Sequence, residues 1–259
     1  RKPIDSDYYL SFEEKSLIDR ASKAFKKTIV VLNSGAVVDC EHFADNDKVQ
    51  GILFGWQGGL EGGAAVADIL CGDVCPSGKL ADTIPVSYYS YQNAEEFLTG
   101  FEHLDYYDDI YVGYRYFETV PGAAERVRYP FGFGLSYTDF ELSGVLCGET
   151  DGKIVVSVNV KNIGSVPGKE TVQLYYSAPQ GVLGKPAKEL AAFAKTHLLN
   201  PGESETLALS FDIADMASFD DLGKVKKAAY VLEPGKYSFY LGNSVRSAEK
   251  IDYEYTVED

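Results

Sequence analysis

The chain has no apolar run of the roughly 18 residues needed to cross a bilayer, and its start lacks the basic-then-apolar build of a signal peptide. No membrane partner is expected. The chain opens on Arg1 rather than Met, so processing or truncation could have removed a targeting signal. Basic residues are scarce: 24 Lys and Arg stand against 39 Asp and Glu, for a net charge of -15. The imbalance is spread along the chain, with 12 basic and 22 acidic residues up to Phe140 and 12 and 17 beyond it. Such a surface repels a phosphate backbone, and no Lys/Arg stripe offers a footprint, so nucleic acid is excluded as a partner. Four cysteines in 259 residues do not make a disulfide scaffold. Cys71 and Cys75 are close in sequence, but no His or second Cys pair follows at zinc-like spacing, so no metal is expected. The cysteines read as free thiols, which favours a reducing, cytoplasmic compartment without fixing it. Internal repeats and low-complexity tracts are lacking too.

What is present suits two domains. Ser11 followed by Glu14 makes a capping-box pattern, and Leu17, Ala21, Ala24 and Phe25 share one helical face, predicting a helix over 12–27. Thr28-Ile-Val-Val-Leu32 is short, apolar and β-branched, as expected of a strand buried on both faces of a parallel sheet. Ile52-Leu-Phe54 reads as a second strand, Gly58-Gly-Leu-Glu-Gly-Gly63 as a tight turn, and Ala64 to Cys71 as a helix stopped by Gly72. Alternating strands and helices imply an α/β layer with a mostly parallel sheet.

From Pro85 to Phe117 the periodicity fades and aromatics gather: Tyr88, Tyr89, Tyr91, Phe97, Phe101, Tyr106, Tyr107, Tyr111, Tyr114, Tyr116 and Phe117. This predicts a long ordered connector, placed over 85–138. Beyond Phe140 the period becomes two. Ile154, Val156, Val158 and Val160 alternate with polar or smaller neighbours, as do Leu207, Leu209 and Phe211, then Tyr237, Phe239 and Leu241, then Ile251, Tyr253 and Tyr255. Asn162-Ile-Gly164, Asn200-Pro-Gly-Glu203 and Glu233-Pro-Gly-Lys236 supply turns. About seven short strands in ~120 residues predict an immunoglobulin-like or fibronectin III-like all-β sandwich. The expected division is an α/β domain over 1–138, its N-terminal part missing, and a sandwich over 139–259.

A strand, a glycine turn and a helix start are the parts of a phosphate site. The turn after Phe54 nevertheless lacks both the G-x-G-x-x-G spacing and a G-K-[ST] ending, and Glu61 would oppose an anion there. No nucleotide or other cofactor is expected.

The run Gly51-Ile-Leu-Phe-Gly-Trp-Gln-Gly-Gly-Leu-Glu-Gly-Gly-Ala-Ala-Val-Ala-Asp-Ile-Leu-Cys-Gly-Asp-Val-Cys-Pro-Ser-Gly-Lys-Leu80 closely resembles the second-domain signature of glycoside hydrolase family 3. Asp109-Ile-Tyr-Val-Gly-Tyr-Arg-Tyr-Phe117 and Tyr129-Pro-Phe-Gly-Phe-Gly-Leu-Ser-Tyr-Thr-Asp-Phe140 match two further blocks of that family in order. Val160-Lys-Asn-Ile-Gly164, Gly168-Lys-Glu-Thr-Val-Gln-Leu-Tyr175, Lys188-Glu-Leu190 and Leu199-Asn-Pro-Gly-Glu203 are similar to its fibronectin type III-like module. The departures are small: Cys71 and Cys75 replace more usual aliphatic or polar residues, and Gly59-Leu60 stands where Gly-Gln is common.

The resemblance implies a portion of a retaining, exo-acting β-glycosidase, a β-glucosidase above all, that removes terminal β-D-glycosyl residues with two carboxylates. Its substrate would be a β-glucoside or oligosaccharide. The family's nucleophilic Asp sits on a TIM barrel, and nothing here offers the repeated strand–helix units of one. In many members the acid/base Glu lies in a Ser-Gly-Glu-Gly-x-Asp loop just upstream of a segment resembling Arg1–Ser11. Both catalytic residues are therefore expected outside this chain, the barrel becomes an expected partner, and the chain alone is expected to be inactive. The alternative is a non-catalytic module that binds carbohydrate or protein through its sandwich and aromatic connector.

Four residues are substrate-pocket candidates. Glu61 could bond a sugar hydroxyl, or cap a helix start. Trp56, the sole tryptophan, could stack on a pyranose ring, or pack at a domain edge. Asp109 and Arg115 could pair with each other, hold the connector against the barrel, or contact substrate. His42, His103 and His197 are scattered and read as surface or capping residues. The glycines of Phe131-Gly-Phe-Gly134 read as permitting a tight turn where the chain enters the sandwich.

Overall fold

The computed structural model describes residues 2–96, 103 and 105–258. The chain folds as two compact units that interleave along the sequence. One comprises Arg1–Asp73, Ile84–Asp108 and Glu125–Arg128; the other comprises Val74–Thr83, Asp109–Ala124 and Tyr129–Asp259. The connector expected over 85–138 is thus shared between them, and its Phe97 and Phe101 lie outside the described residues.

In the α/β unit, helix α1 (Phe12–Ala24) begins at the expected capping box. The Ser11 hydroxyl accepts from the Glu14 N–H at 3.1 Å and the Glu14 carboxylate accepts from the Ser11 N–H at 2.7 Å, so two orphan donors of the first turn are satisfied reciprocally. The helix stops at Ala24, short of the expected Lys27, because Phe25 turns to extended backbone. Strands β1 (Thr28–Leu32) and β2 (Val49–Phe54) pair in parallel, with Ile29 opposite Gly51 and Leu32 opposite Phe54. Between them lies a single helical turn, α2 (Glu41–Ala44), which no periodicity announces; its Phe43 is wholly buried. Helix α3 (Gly62–Cys71) ends as expected at Gly72, whose φ of 85° suits glycine and whose N–H bonds the Asp68 and Ile69 carbonyls.

Burial of β1 on both faces does not occur. Ile29 and Val31 remain 49% and 37% exposed, because among the described residues the sheet has only two strands and one of its faces carries no cover. Leu17 of α1 and Phe25 just beyond it are likewise exposed. Two short strands, β3 (Ile84–Pro85) and β4 (Val127–Tyr129), follow in the connector, and the Arg128 guanidinium holds Asp45 through two bonds of 2.6 and 2.9 Å.

In the sandwich unit, helix α4 (Tyr114–Thr119) precedes the strands β5 (Phe140–Thr150), β6 (Lys153–Asn162), β7 (Thr171–Ser177), β8 (Glu189–Lys195) and β9 (Ser204–Asp212). A small hairpin, β10 (Ser218–Asp220) with β11 (Ala229–Val231), comes next, then β12 (Gly235–Gly242) and β13 (Glu249–Val257). Antiparallel pairing gives a three-stranded sheet, β5-β6-β9, and a four-stranded sheet, β13-β12-β7-β8. Ile154, Val156, Val158 and Val160 meet Val172, Leu174, Leu209, Phe211, Tyr237 and Phe239 in one core, so the period-two pattern marks the inner face.

Strand β7 departs from that alternation, for Thr171 through Tyr176 are all buried. Val172, Leu174 and Tyr176 face the core. Tyr175 belongs to a second cluster with Val245 and Ala248, packed by Tyr114 and Phe131 of the connector. Tyr114 stacks on Phe131 at 4.5 Å and meets Tyr175 edge-on at 6.3 Å. Gln173 donates to the Gly132 carbonyl at 3.1 Å and the Asn243 carbonyl at 2.8 Å, while its own carbonyl accepts from the Tyr175 hydroxyl at 2.5 Å. Gly132 has φ 79°, and a Cβ there would fall 2.1 Å from Gln173 Oε1. Its glycine therefore serves close approach as well as the turn. Lys79 and Glu170, both nearly buried, pair at 2.8 Å.

Asn162, inaccessible to solvent, closes the other end of the sandwich. Its amide donates to the Val166 and Leu199 carbonyls at 2.8 and 2.9 Å, and its carbonyl accepts from Thr138 at 2.7 Å and the Gly164 N–H at 3.0 Å. Removing a side chain that satisfies four polar groups, two of them in buried bonds, leaves buried groups unpaired, which costs about 3 kcal/mol. Asn162→Ala is accordingly expected to lower the urea midpoint of the sandwich with little change in m-value, followed by near-ultraviolet circular dichroism. Ser11→Ala, which loses one cap, should cost about 1 kcal/mol. Equal effects of the two substitutions would contradict this assignment.

Candidate functional site

The four sequence candidates fall into two local settings, one in each unit. In the α/β unit, the carboxyl ends of β1 and β2 share an edge. Gly55 N–H bonds the Leu32 carbonyl at 2.9 Å, and Gly35 lies so close to Gln57 that a Cβ there would meet its amide nitrogen at 2.8 Å. Trp56 follows β2 with φ 50°, a conformation in which a bulky residue is an outlier of the kind found at sites under functional constraint. Its ring leans on Phe54 at 5.8 Å and 41°. The turn that follows is tight, since a Cβ on Gly58 would lie 2.9 Å from the Gly62 Cα. Glu61 takes the N-cap position of α3, yet its exposed side chain makes no cap hydrogen bond. The helix-capping alternative for Glu61 therefore has no hydrogen bond behind it.

In the sandwich unit, Asp109 and Arg115 line one pocket of about 290 Å³ together with Tyr176, Glu189 and the β10 region. They do so from a connector that the local fold orders. Asp109 sits at φ 49°, and α4 lies over β8, the edge of the four-stranded sheet. There the Leu190 N–H donates to the Tyr114 hydroxyl at 2.8 Å and the Ala187 N–H to the Thr119 hydroxyl at 2.8 Å. Edge donors that would otherwise be open to pairing are thus occupied.

Arg115 does not pair with Asp109; it bridges to Glu189 at 3.0 Å. Glu189 accepts in turn from the Tyr176 hydroxyl at 3.0 Å. Burial and the Glu189 charge push the Tyr176 phenol well above its ordinary value, so it stays a donor. Sequence reasoning missed Glu189, although it stands in the Lys188-Glu-Leu190 stretch, because the alternation of β8 assigns it no role.

The β10 strand and the segment after it also line the pocket. Asp220 accepts from the N–H groups of Gly223, Lys224, Val225 and Lys226 at 2.7 to 3.0 Å. The lining Ser218 is held by the buried Lys185, which donates to its hydroxyl and pairs with Glu233 at 3.5 Å. Neither Asp220 nor Lys185 was singled out in sequence; an Asp followed by a Gly-containing run was the available signal for the first.

The histidines stand apart from both settings. His42 meets Asp19 at 3.0 Å, and His197 meets Glu205 and Glu203 at 2.7 and 3.3 Å. Cys75, half-buried, contacts the Ser136 hydroxyl at 3.1 Å.

Comparison with known proteins matches two families in order along the chain, and the first takes in Asp109 and Arg115 as well. A family model described as the glycosyl hydrolase family 3 C-terminal domain matches residues 4–137, and one described as a fibronectin type III-like domain matches residues 170–245. Beta-glucosidase A of Butyrivibrio fibrisolvens is 52% identical over 264 residues, covering 96% of this chain and 32% of that protein. Among solved structures, a beta-glucosidase from Paenibacillus barengoltzii superposes with a TM-score of 0.90 at 43% identity, covering 98% of this chain and 28% of that one. Beta-glucosidase 3B from Thermotoga neapolitana, in complex with alpha-D-glucose, does so with a TM-score of 0.88 at 40% identity, covering 100% and 36%. The chain thus spans about a third or less of the length of the proteins it resembles.

The Asp220 cradle has a pH signature. Burial alone would raise this carboxyl, but the four N–H donors outweigh it and bring the pKa from 3.8 down to about 2. A depressed carboxyl stabilises the folded state above its unfolded value and ceases to do so as pH falls through the folded one. The wall should therefore hold at pH 4 and above and loosen between 3.8 and about 2. Amide shifts of Gly223 to Lys226, followed by NMR, are expected to titrate near the lower value; a midpoint at 3.8 would refute the cradle.

Proposed function

The chain belongs to glycosyl hydrolase family 3, and on that premise we propose that it forms the α/β and fibronectin-like scaffold of a retaining, exo-acting β-glucosidase. The observation that carries the proposal is the ordered match to both family domains, joined to relatives named as beta-glucosidases over nearly the whole chain. In this reading the domains run 1–138 and 139–259. The substrate is a terminal, non-reducing β-D-glucoside.

The chemistry of such an enzyme needs two carboxylates, one attacking the anomeric carbon and one protonating the leaving oxygen before activating water. Both are assigned to a TIM-barrel partner and an adjoining loop beyond this chain. The part left to this chain is positioning. Trp56 and Glu61 lie at the carboxyl end of a parallel strand, the edge where open α/β sheets gather ligands. The indole offers a flat apolar face and the free carboxylate an acceptor for a sugar hydroxyl.

Two measurements test the proposal. The chain alone is expected to show no turnover of an aryl β-glucoside, and the parent polypeptide to show it. Clear turnover by the chain alone would overturn the division of labour. In the parent, Trp56→Ala is expected to raise KM about tenfold, the worth of one aromatic face, with a smaller change in kcat. An unchanged KM would remove Trp56 from the substrate's surroundings.

A further inference from the structure

The pocket of the sandwich unit is built as a binding site is built. Each of its supports is a satisfied polar group: Glu189 is held by Arg115 and Tyr176, Asp220 by four backbone N–H groups, and Ser218 by the buried Lys185. Its shape therefore does not depend on an occupant. At about 290 Å³ it lies at the small end of ligand cavities.

Its surface chemistry narrows the ligand by elimination. Asp109, Asp215 and Asp221 line it without a hydrogen bond or ion pair among the described residues, and only Lys224 adds an opposing charge once Arg115 is spent on Glu189. An anion is therefore repelled. A metal ion is not provided for, since among the described residues no group of three or more His, Cys, Asp or Glu is placed to hold one. A purely apolar ligand would strip water from three carboxylates without replacing their partners. Among uncharged ligands, what remains is a molecule rich in hydroxyl donors with an apolar face to spare. Phe219, 53% exposed on the pocket wall and braced edge-on by Tyr230 at 5.3 Å, offers a ring for that face.

We propose that this pocket binds a neutral sugar, one glycosyl unit of a saccharide, seated against Phe219 with its hydroxyls donating to Asp109, Asp215 and Asp221. The call for hydroxyl donors comes from the pocket; the choice of a neutral sugar rests on the family reading above. Asp109 and Arg115 then belong to one site with different tasks. Asp109 contacts the ligand, and Arg115 is a positioning residue that orients Glu189.

The test is a titration of the full chain with cellobiose, followed by backbone amide shifts. Saturable shifts are expected at residues 109–115 and 215–224. Phe219→Ala and Asp215→Asn should each weaken affinity about tenfold, while Phe193→Ala, which removes an exposed ring of β8 outside the pocket, should leave it unchanged. Both substituted pocket residues are exposed, and unfolding midpoints matched to the wild type show that the fold is kept. Glucose 6-phosphate should bind more weakly than glucose. Absence of saturable shifts in these segments, or affinity indifferent to both pocket variants, overturns the proposal. Failure here is separable from failure of the enzymatic reading. A parent that hydrolyses β-glucosides while this chain ignores cellobiose sinks the pocket alone, and a parent without turnover whose chain binds cellobiose sinks the enzyme alone.

Discussion

Strand β7 is buried on both faces, and much of the sandwich unit follows from that constraint. Its inner residues complete the core between the sheets. Its outer residues, Gln173 and Tyr175, are polar or amphipathic and buried, so each needs partners that a bare sheet face does not supply. The connector provides them. The Gly132 carbonyl takes the Gln173 amide, Gln173 takes the Tyr175 hydroxyl, and the stacked rings of Tyr114 and Phe131 exclude water from the cluster. Once the connector is pinned there, α4 is committed to the edge of β8. That in turn brings Arg115 to Glu189 and builds one wall of the pocket.

The same constraint explains which features were legible in the sequence. Strands β6, β9, β12 and β13 have one wet face, and their residues alternate accordingly. β7 and β8 do not advertise themselves: the outward Thr171, Gln173 and Tyr175 of β7 read as a wet face, and the structure covers them. The aromatic crowding of the connector was visible, but which surface it covers was not. Tyr114 and Phe131 meet Tyr175 from distant positions in the chain, and no local period encodes such a meeting. In the α/β unit, capping chemistry and Gly72 gave reliable ends for α1 and α3, while α2 is too short for any period. The assumption that an apolar, β-branched β1 must be covered on both faces holds for complete parallel sheets, and the two described strands do not make one.

Residue types alone suggested the candidate site, and the structure sorted it. Trp56 earned notice by being the sole tryptophan; its φ of 50° gives a better reason. Asp109 and Arg115 stand close in sequence and line one pocket, yet of the alternatives open to them pairing with each other is not taken, for Arg115 bridges to Glu189. The groups that give that pocket its form, Asp220 and Lys185, are invisible to motif reading. Their work is done through backbone N–H groups and burial rather than through a spaced set of reactive side chains.

The central claim is that the sandwich and the connector segments of its own unit, 109–124 and 129–138, are one cooperative body held at the outer face of β7. A polypeptide beginning at residue 139 removes Tyr114, Phe131 and Gly132 together and leaves Gln173 and Tyr175 facing water. Thermal unfolding of that polypeptide, read beside the full chain, tests the claim most directly. The account predicts that its cooperative transition is lost or falls by more than about 10 °C, as several kcal/mol of lost packing and hydrogen bonding require in a unit of this size. A sandwich that unfolds cooperatively at the temperature of the full chain would contradict it.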